Sequence, residues 1–518
     1  MVDSLAPNKG FLNRIERIGN AMPSITMLFL YALIICWVLS FLLSFVSFDY
    51  VNPLDPTGEK IQVINMFDYS EIVTFLTKMV GNFITFPPLA ITIVATLGIG
   101  IAEGSGFINT ALKKMLSIIS PKMLTPTVAF VGVVAHIVSD SAYVILMPVS
   151  ALMFYASGRH PLAGVATAFA GLAGGFTASY TPSQIDPILQ SFTEKAAHLL
   201  DPSYSVNVLC NYFFSLGGTF GVILVCWFVT EKIVEPWLNK NCPVDCTNPT
   251  DSEDVKQITP SQAKGFRWAI LSIIGLIVLL TALLYPESSP FRDPKTGSLT
   301  NSAAPVMQSI VPLLFIFFAV PGLIYGFVAG TFKSSKDVTN TMENITKSLI
   351  SFIVFCFIAA QFLYSFGHSN IGTLISLTGA DMLRSLSMPA WLTIIGMILL
   401  SSCINLIITS ATSKWAIMAP VMVPMLMAVG LSPELTQASF RISAAVNVST
   451  PMFPFYPLIL SYCHKYCSKA GVGTLCSMMI PFSIGIWLVL VATLFIYWGF
   501  DIPIGFDSSY TYDLPRTQ

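Results

Sequence analysis

The stretch Ser141–Pro182, SAYVILMPVSALMFYASGRHPLAGVATAFAGLAGGFTASYTP, is repeated 272 residues later at Ser413–Pro454 as SKWAIMAPVMVPMLMAVGLSPELTQASFRISAAVNVSTPMFP. Aligned without a gap, the two stretches are identical at eleven of 42 positions, among them Pro161/Pro433 and Gly158/Gly430. An apolar composition raises chance identity, but it does not explain proline and glycine at matching offsets. An internal repeat of this kind in a membrane chain is typical of the binding site of a secondary transporter.

The composition is that of a membrane protein. The 518 residues are 54% hydrophobic and only 10% charged, whereas soluble domains carry about 25% charged residues. Several apolar runs reach the length of about 20 residues that spans a bilayer. The net charge of −1 gives no basic surface for nucleic acid. The first run, Pro23–Val46, is too long for a cleavable signal peptide and is interpreted as the first span.

Basic flanks and apolar runs together predict an all-α integral membrane protein with nine transmembrane helices and two re-entrant helical hairpins. After the first span, the second is predicted to end near Ala102, the third to begin at Pro161, and the others to lie at Val206–Val229, Trp268–Tyr285, Val306–Ala329, Leu349–Phe366, Pro433–Tyr462 and Cys476–Phe500. The hairpins, at about 125–157 and about 391–428, are apolar stretches too long for one span, and polar residues interrupt each in the middle. Non-helical polar backbone at membrane depth is tolerated where it lines a cavity. Five crossings separate the hairpins, so the two halves form an inverted repeat.

The predicted orientation has the N-terminus in the cytoplasm and the C-terminus outside, in the inner (plasma) membrane. This topology leaves 17 of the 26 Lys and Arg residues on the cytoplasmic side, 7 outside or at the outer boundary, and Lys414 and Arg441 at membrane depth, in agreement with the positive-inside rule. It divides the chain into five segments: a cytoplasmic N-terminal segment 1–22, a first membrane half 23–230, a cytoplasmic loop 231–266, a second membrane half 267–500, and a tail 501–518.

Ten cysteines are scattered through the chain, mostly inside apolar runs. Two spacings, Cys242-x3-Cys246 and Cys463-His464-x2-Cys467, resemble metal-ligand spacing, but neither has a second pair of ligands nearby. We therefore predict no metal centre here and interpret the cysteines as reduced thiols on the cytoplasmic side.

Several motifs resemble those of one transporter family over nearly the whole chain. They are GRHPLAG (158–164), SQIDP (183–187), INLIITSATSKWAIMAPVMVPML (404–426), PELTQASFRI (433–442), AGVGTL (470–475) and FVTEKIVEP (228–236). The chain is similar in these motifs to the AbgT family, the p-aminobenzoyl-glutamate transporters. The resemblance implies a homodimer, nine spans with two re-entrant hairpins, and a site divided between the hairpin tips. It also implies import of p-aminobenzoyl-glutamate, a folate catabolite, or efflux of p-aminobenzoate-like and sulfonamide-like antimetabolites.

The resemblance carries over a set of functional residues: Asp186, Ser413, Trp415, Pro433, Arg441 and Pro451. One position departs from the family pattern. The family usually has Arg-Ile-Gly-Asp where this chain has Arg441-Ile442-Ser443-Ala444, so the expected carboxylate is absent. The substrate or the coupling ion of this chain is therefore open to differ from those of the best-known members.

Two cationic residues at membrane depth are the strongest site candidates. Arg441 lies inside a predicted span, where a charge costs a few kcal/mol on insertion scales and marks a functional site by default. Its guanidinium could bind a substrate carboxylate in bidentate geometry, or it could form a structural ion pair with Asp186. Lys414, beside the second hairpin tip, could contact the substrate, could occupy the place of a coupling cation, or could extend to the external surface.

The remaining candidates follow from the two polar interruptions. Asp140 with Ser139 and Ser141 offers hard oxygen ligands suited to Na⁺, or a helix cap. Asp186 could carry a proton, pair with a cation or cap a helix. The predicted substrate-binding set is Ser413, Lys414, Trp415, Arg441, Asn405, Pro433 and Pro451. Trp415 and Tyr143 could stack on an aromatic ring of the substrate, or they could line the helix bundle. The predicted cation-coupling set is Ser139, Asp140, Ser141, Asp186 and Asn447, and bound Na⁺ at this set is the one cofactor considered.

The functional prediction is a secondary transporter, coupled to Na⁺ or H⁺, of a small aromatic or carboxylate anion. The alternatives are a transporter of another dicarboxylate or amino-acid-like anion, and a channel. An enzyme is not predicted, because neither HExxH nor GxSxG occurs and Ser413 and Lys414 are adjacent rather than spaced as nucleophile and base. An ATP-driven pump is disfavoured because no GxxxxGK[ST] motif occurs.

Overall fold

A computed structural model describes residues 24–51, 60–117, 123–138, 141–245 and 258–513. Its first half contains α1 (Ile25–Leu43), α2 (Tyr69–Ile84), α3 (Pro87–Gly104), α4 (Phe107–Ser117), α5 (Leu124–Ala135), α6 (Ser141–Ala156), α7 (Pro161–Gly174), α8 (Ile185–Ala197), α9 (Tyr212–Val229) and α10 (Glu235–Asn241). A 3₁₀ turn, His136–Val138, follows α5, and a π-helical turn, Thr230–Val234, joins α9 to α10.

The second half begins with α11 (Pro260–Leu284), α12 (Pro305–Gln308), α13 (Ile310–Ala329), α14 (Ser335–Ser348), α15 (Ile350–His368) and α16 (Ile371–Ser385). It continues with α17 (Ala390–Asn405), α18 (Ala411–Ala428), α19 (Pro433–Ile442), α20 (Tyr456–His464) and α21 (Val472–Gly499). A 3₁₀ segment, Ser443–Ser449, follows α19 directly.

Eight helical stretches among the described residues are long and apolar enough to cross a membrane: 25–43, 69–104, 212–241, 260–284, 310–329, 350–368, 411–428 and 472–499. Seven of them coincide with predicted spans, and the eighth, α18, is the second arm of the predicted hairpin at 391–428. The predicted spans that begin at Pro161 and Pro433 are each divided into two short helices, which are individually too short to be counted. The chain is an all-helical, multi-pass integral membrane protein.

The internal repeat is present in the helix boundaries as well as in the amino-acid sequence. The helices α6 and α18 end at Ala156 and Ala428, and α7 and α19 begin at Pro161 and Pro433, each pair being 272 residues apart. Proline is favoured at the first position of a helix because that position needs no backbone N–H partner. The paired sequence positions therefore have the same structural role in both halves.

The helices α7 and α19 lie at the centre of the bundle, since every one of their residues is buried. Small residues allow this in α7: a Cβ on Gly171 would lie 2.7 Å from the carbonyl oxygen of Ala129 in α5, so no larger residue fits there. Small residues at helix contacts are the usual means of close packing in membranes. The wide outer faces of α1 and α11 are by contrast mostly exposed.

Both central helices are followed by an interruption, and these interruptions come close to one another. The chain is not α-helical between α7 and α8, nor between α19 and α20 apart from the 3₁₀ segment. That segment packs against α7, α17 and α21. Interrupted helices leave backbone groups free of their usual partners, and these groups can then bind a ligand.

The helices that meet at the end of the bundle predicted to face the cytoplasm are joined by ionic contacts. Arg159, just before α7, donates from Nη2 to Glu235 at 2.5 Å and from Nη1 to Thr125 at 2.6 Å. Thr125 in turn donates to Glu231 at 2.9 Å. These contacts tie α5 and α7 to the π-helical turn and α10, which shortens the predicted loop at 231–266 by several residues.

The interpretation of all cysteines as reduced thiols is wrong for one pair in this structure. Cys242 and Cys467, which are 225 residues apart in sequence, form a disulfide with a Cα–Cα distance of 6.6 Å. The end of α10 packs beside the turn after α20, and Asp245 accepts a hydrogen bond from the Ser468 N–H at 3.0 Å. Cys246, the second cysteine of the Cys242-x3-Cys246 spacing, lies outside the described residues.

Candidate functional site

The buried ion pair of Arg441 and Asp186 is the first of two polar centres at the interruptions. Arg441 lies in the last turn of α19, and its side chain is 1% exposed. Its Nη1 donates to Asp186 Oδ1 at 2.6 Å, and its Nη2 lies 3.5 Å from the carbonyl oxygen of Phe176. Its Nε has no hydrogen-bond partner among the described residues. The guanidinium is therefore paired and still has a donor to offer.

Asp186 lies in the first turn of α8, and both of its carboxylate oxygens are occupied. Oδ1 accepts from Arg441, while Oδ2 accepts from the Ser183 N–H at 2.7 Å and the Ser183 hydroxyl at 3.1 Å. The carboxylate therefore closes the turn at the start of α8 and links it to α19. Of the two sequence-based alternatives for Arg441, the pair with Asp186 is present, and the free Nε leaves a further carboxylate contact available.

The second centre is the ammonium group of Lys414, in the first turn of α18. The side chain is fully buried, so it does not extend to the surface. Its Nζ donates to Asn405 Oδ1 at 2.5 Å and to Ser443 Oγ at 2.7 Å, and it lies 4.8 Å from the centroid of the Phe440 ring. Asn405 Nδ2 donates in turn to Asn447 Oδ1 at 2.7 Å. Asn405 is the last residue of α17, and Ser443 and Asn447 lie in the 3₁₀ segment.

The neighbouring serines form the N-terminal cap of α18. The Ser410 hydroxyl accepts from the Ser413 N–H and lies 3.0 Å from the Ser413 hydroxyl. Such a cap satisfies one of the free N–H groups at a helix start. Ser413 is thus part of the turn that precedes Lys414, and its hydroxyl remains close to the second centre.

The two aromatic candidates pack against the protein itself. Trp415 is fully buried, lies 4.3 Å from the Phe440 ring between centroids, and donates from its indole N–H to Thr193 at 2.9 Å. Tyr143 stacks on Phe455 with 4.5 Å between centroids. In this conformation both rings have aromatic partners from the chain, which is the packing alternative allowed by the sequence.

The remaining candidates lie near the same interruptions. Pro433 is the first residue of α19, and Pro451 lies in the break between the 3₁₀ segment and α20. Thr450, just before Pro451, donates to the carbonyl oxygen of Leu406 at 3.2 Å and so joins the break before α20 to the break between α17 and α18. Ser139 and Asp140 lie outside the described residues, and Ser141 is the first residue of α6.

Four residues at the two centres were not among the sequence-based candidates: His136, Phe176, Phe440 and Ser443. The ring of His136 lies 5.2 Å from that of Phe176, whose carbonyl faces Arg441. A histidine inside an apolar run was a signal that could have been used. Ser443 was noted only as a departure from the family pattern. Nothing in the sequence spacing pointed to Phe176 or Phe440.

The site therefore consists of two separate buried cations, Arg441 in α19 and Lys414 in α18. No hydrogen bond or ion pair within the described ranges joins Arg441 to Lys414. Charged groups buried at helix breaks in a membrane protein are costly unless they serve a partner or a ligand. The arrangement offers positively charged donors for a carboxylate and amide and hydroxyl oxygens for a cation.

The chain is similar to known proteins over most of its length. The family model described as "AbgT putative transporter family" matches residues 10–512. The p-aminobenzoyl-glutamate transport protein of Escherichia coli (strain K12) is 32% identical over 492 residues, which are 95% of each chain.

Two solved structures have the same fold. The YdaH transporter of Alcanivorax borkumensis, which has an unusual topology, superimposes with a TM-score of 0.87 at 34% identity, covering 93% of this chain and 100% of that one. MtrF of Neisseria gonorrhoeae represents a class of antimetabolite efflux pumps. It superimposes with a TM-score of 0.88 at 37% identity, covering 96% of this chain and 100% of that one. These relatives are transporters and not enzymes. The chain is a member of the AbgT transporter family.

Proposed function

We propose that this protein is a cation-coupled secondary active transporter of p-aminobenzoyl-glutamate or a related small aromatic carboxylate. The observation that carries the proposal is the buried guanidinium of Arg441, which lies at an interrupted helix and keeps its Nε–H unpaired although Asp186 is already bound. A substrate carboxylate is the complementary group, because carboxylates accept charge-assisted hydrogen bonds from guanidinium. The E. coli relative transports a molecule with such carboxylates.

The substrate would lie between the Arg441 centre and the Lys414 centre. Arg441 would bind a carboxylate, and Ser413, Asn405 and Lys414 would offer donors at the other side, in a position bounded by Pro433, Pro451 and Trp415. Trp415 now packs against Phe440, so it would contact the aromatic ring of the substrate only after moving away from Phe440. Half-helix N-termini such as that of α18 favour negative charge through their free N–H groups.

The coupling cation is Na⁺ or H⁺ in this proposal. The proposed ligands at the tip of the first proposed hairpin are Ser139, Asp140 and Ser141. Asp186 and Asn447 would supply further oxygen ligands. Asp186 is engaged by Arg441 and Ser183, so it would reach a cation only if that pair opened. Import and efflux both fit this arrangement, since the MtrF relative belongs with antimetabolite efflux pumps.

The topology and assembly belong to the same proposal. The pairs α5–α6 and α17–α18 are proposed to be the two re-entrant hairpins of a nine-span inner-membrane protein with its N-terminus in the cytoplasm and its C-terminus outside. The protein would be a homodimer, with the exposed apolar faces of α1 and α11 as available contact surfaces. Native mass measurement in lipid tests the dimer, and a monomer only would contradict it.

The proposed function is tested by uptake into proteoliposomes. Purified protein should accumulate labelled p-aminobenzoyl-glutamate when a Na⁺ or H⁺ gradient is imposed, and excess unlabelled substrate should saturate the uptake. p-Aminobenzoate and glutamate, added separately as competitors, identify which half of the molecule is recognised. Competition by unrelated dicarboxylates or amino acids alone would favour a different anion. Flux that is not saturable would indicate a channel.

A further inference from the structure

Lys414 is a buried cation held by neutral groups. Its ammonium is fully buried, and its polar partners are an amide oxygen, a hydroxyl and the face of an aromatic ring. No ion pair within the described residues includes it. Isolated charges are expensive in a membrane interior, so a lysine in such a place is expected to have a function or to be uncharged for part of the time.

The charged groups on the elements around Lys414 are engaged elsewhere. The helices α8, α16, α17 and α19 pack against α18, and the 3₁₀ segment supplies Ser443. Their ionisable side chains are Asp186 paired with Arg441, Glu194 bound by Gln190, Lys195 over the Phe86 ring, Asp381 paired with Arg384, and Glu434 bound by Tyr204. Within these ranges, nothing neutralises the Lys414 ammonium directly.

The set of ligands around Nζ is that of a small monovalent cation site. Amide and hydroxyl oxygens at helix breaks are what transporters use to hold a coupling cation. Here an ammonium fills that position and is attached to the chain. A fixed ammonium cannot leave the site as Na⁺ would, but it can exchange its proton, because a buried lysine is able to deprotonate whereas arginine is not.

We infer that the coupling ion at this centre is a proton and that Lys414 carries it. The inference rests on the transport function proposed above and specifies its coupling. When the site opens to the proton-rich side, the neutral amine takes one proton from hydronium and leaves water. When it opens to the other side, the ammonium returns that proton to water. No other bond is formed or broken.

The contacts of Lys414 explain how its protonation would act on the conformation. The ammonium donates at once to Asn405 at the end of α17 and to Ser443 in the 3₁₀ segment, so it joins the two elements. A neutral amine has one donor fewer and accepts a hydrogen bond instead, which weakens that junction. Two polar arrangements of one junction are the kind of bistable element that an ion can bias.

The test uses the full-length protein in proteoliposomes with the membrane potential clamped. For the wild type, a one-unit pH gradient should support about tenfold accumulation or depletion of labelled p-aminobenzoyl-glutamate per coupled proton. A Na⁺ gradient at equal pH should support none. In Lys414→Arg, which cannot lose its charge, and in Lys414→Gln, which has none, the ratio of label inside to label outside should no longer respond to the pH gradient, measured for each variant at a substrate concentration that saturates its own exchange.

The matched control is Lys195→Gln, which removes another lysine of the bundle and should leave pH-driven accumulation unchanged. Accumulation driven by Na⁺ and not by pH in the wild type would overturn the inference while leaving the transport function intact. Full pH-driven accumulation by either Lys414 variant would overturn it as well. If the wild type does not exchange the substrate at all, the proposed function itself fails, and this is a distinguishable result. If neither Lys414 variant inserts, the wild-type comparison of the two gradients decides.

Discussion

The ion pair of Arg441 and Asp186 has both a structural and a proposed binding role, and paired substitutions separate them. Arg441→Ala removes the guanidinium and leaves the Asp186 carboxylate, which is 14% exposed, without its counter-charge. Asp186→Ala likewise leaves the Arg441 guanidinium, which is 1% exposed, without its counter-charge. The double substitution removes both charges. We expect the two single variants to be less stable than the double variant.

The magnitudes follow from the burial of the pair. Removing one partner of a buried ion pair costs about 3–5 kcal/mol, whereas removing both is often close to neutral. The substrate effect is separate: losing one charge-assisted hydrogen bond costs about 1.5–3 kcal/mol, which corresponds to a rise in KM of roughly 10- to 150-fold. Arg441→Ala and the double variant should show this rise, and Asp186→Ala should not.

Two assays are required on the same preparations. Thermal unfolding in lipid nanodiscs reports the stability of the four proteins, and exchange of labelled p-aminobenzoyl-glutamate in proteoliposomes reports KM. The comparison of Asp186→Ala with the double variant is the informative one, because both lack the pair and only the first keeps the guanidinium. A double variant that is stable and transports with the wild-type KM would refute the role of Arg441 in substrate binding and leave it as a structural partner only.

Three further predictions concern the topology and the end of the bundle that is proposed to face the cytoplasm. Glu253→Cys should react with an impermeant thiol reagent only after cells are permeabilised, and labelling in intact cells would place the loop outside. Arg159→Met should lower the unfolding temperature by leaving Glu235 unpaired, with a cost of roughly 1–3 kcal/mol, while KM stays unchanged; a changed KM would show that this end takes part in binding. Hydrogen bonds from Ser468 lower the pKa of Asp245, so their stabilising effect is present above the ordinary carboxyl value of about 4 and is lost as the pH falls through the lowered value. Asp245→Asn should therefore lower the unfolding temperature at neutral pH and match the wild type in acid, and an equal difference at both pH values would contradict this account.

Much of the architecture was predictable from the sequence because it depends on local signals. Apolar runs gave the long helices, and the paired Pro161 and Pro433 gave the starts of the two central helices. The short helices α4, α14 and α16 were not predicted, because they are too short and too polar to stand out as spans. The exact number of membrane crossings depends on how the interrupted helices lie in the bilayer, and this information is not in their hydropathy.

The site was predictable as a set of residues but not as a set of contacts. Arg441 and Lys414 stood out because charges are rare at membrane depth. Asp186 was named as one alternative partner of Arg441, and the structure contains that pair. Ser443 and Phe440 became partners of Lys414 only through packing of α18 against α19, which no spacing in the sequence reveals. The disulfide between Cys242 and Cys467 likewise joins positions that only the folded chain brings together.

The most direct measurement of the central claim is exchange of labelled p-aminobenzoyl-glutamate across proteoliposome membranes with no ion gradient and no membrane potential. Exchange needs only a substrate site that opens to both sides, so it is independent of the coupling ion and of the direction of transport. The account predicts saturable entry of label that increases when unlabelled substrate is present inside the vesicles. Entry of label that is no faster than in protein-free vesicles, or that does not respond to internal substrate, would contradict it.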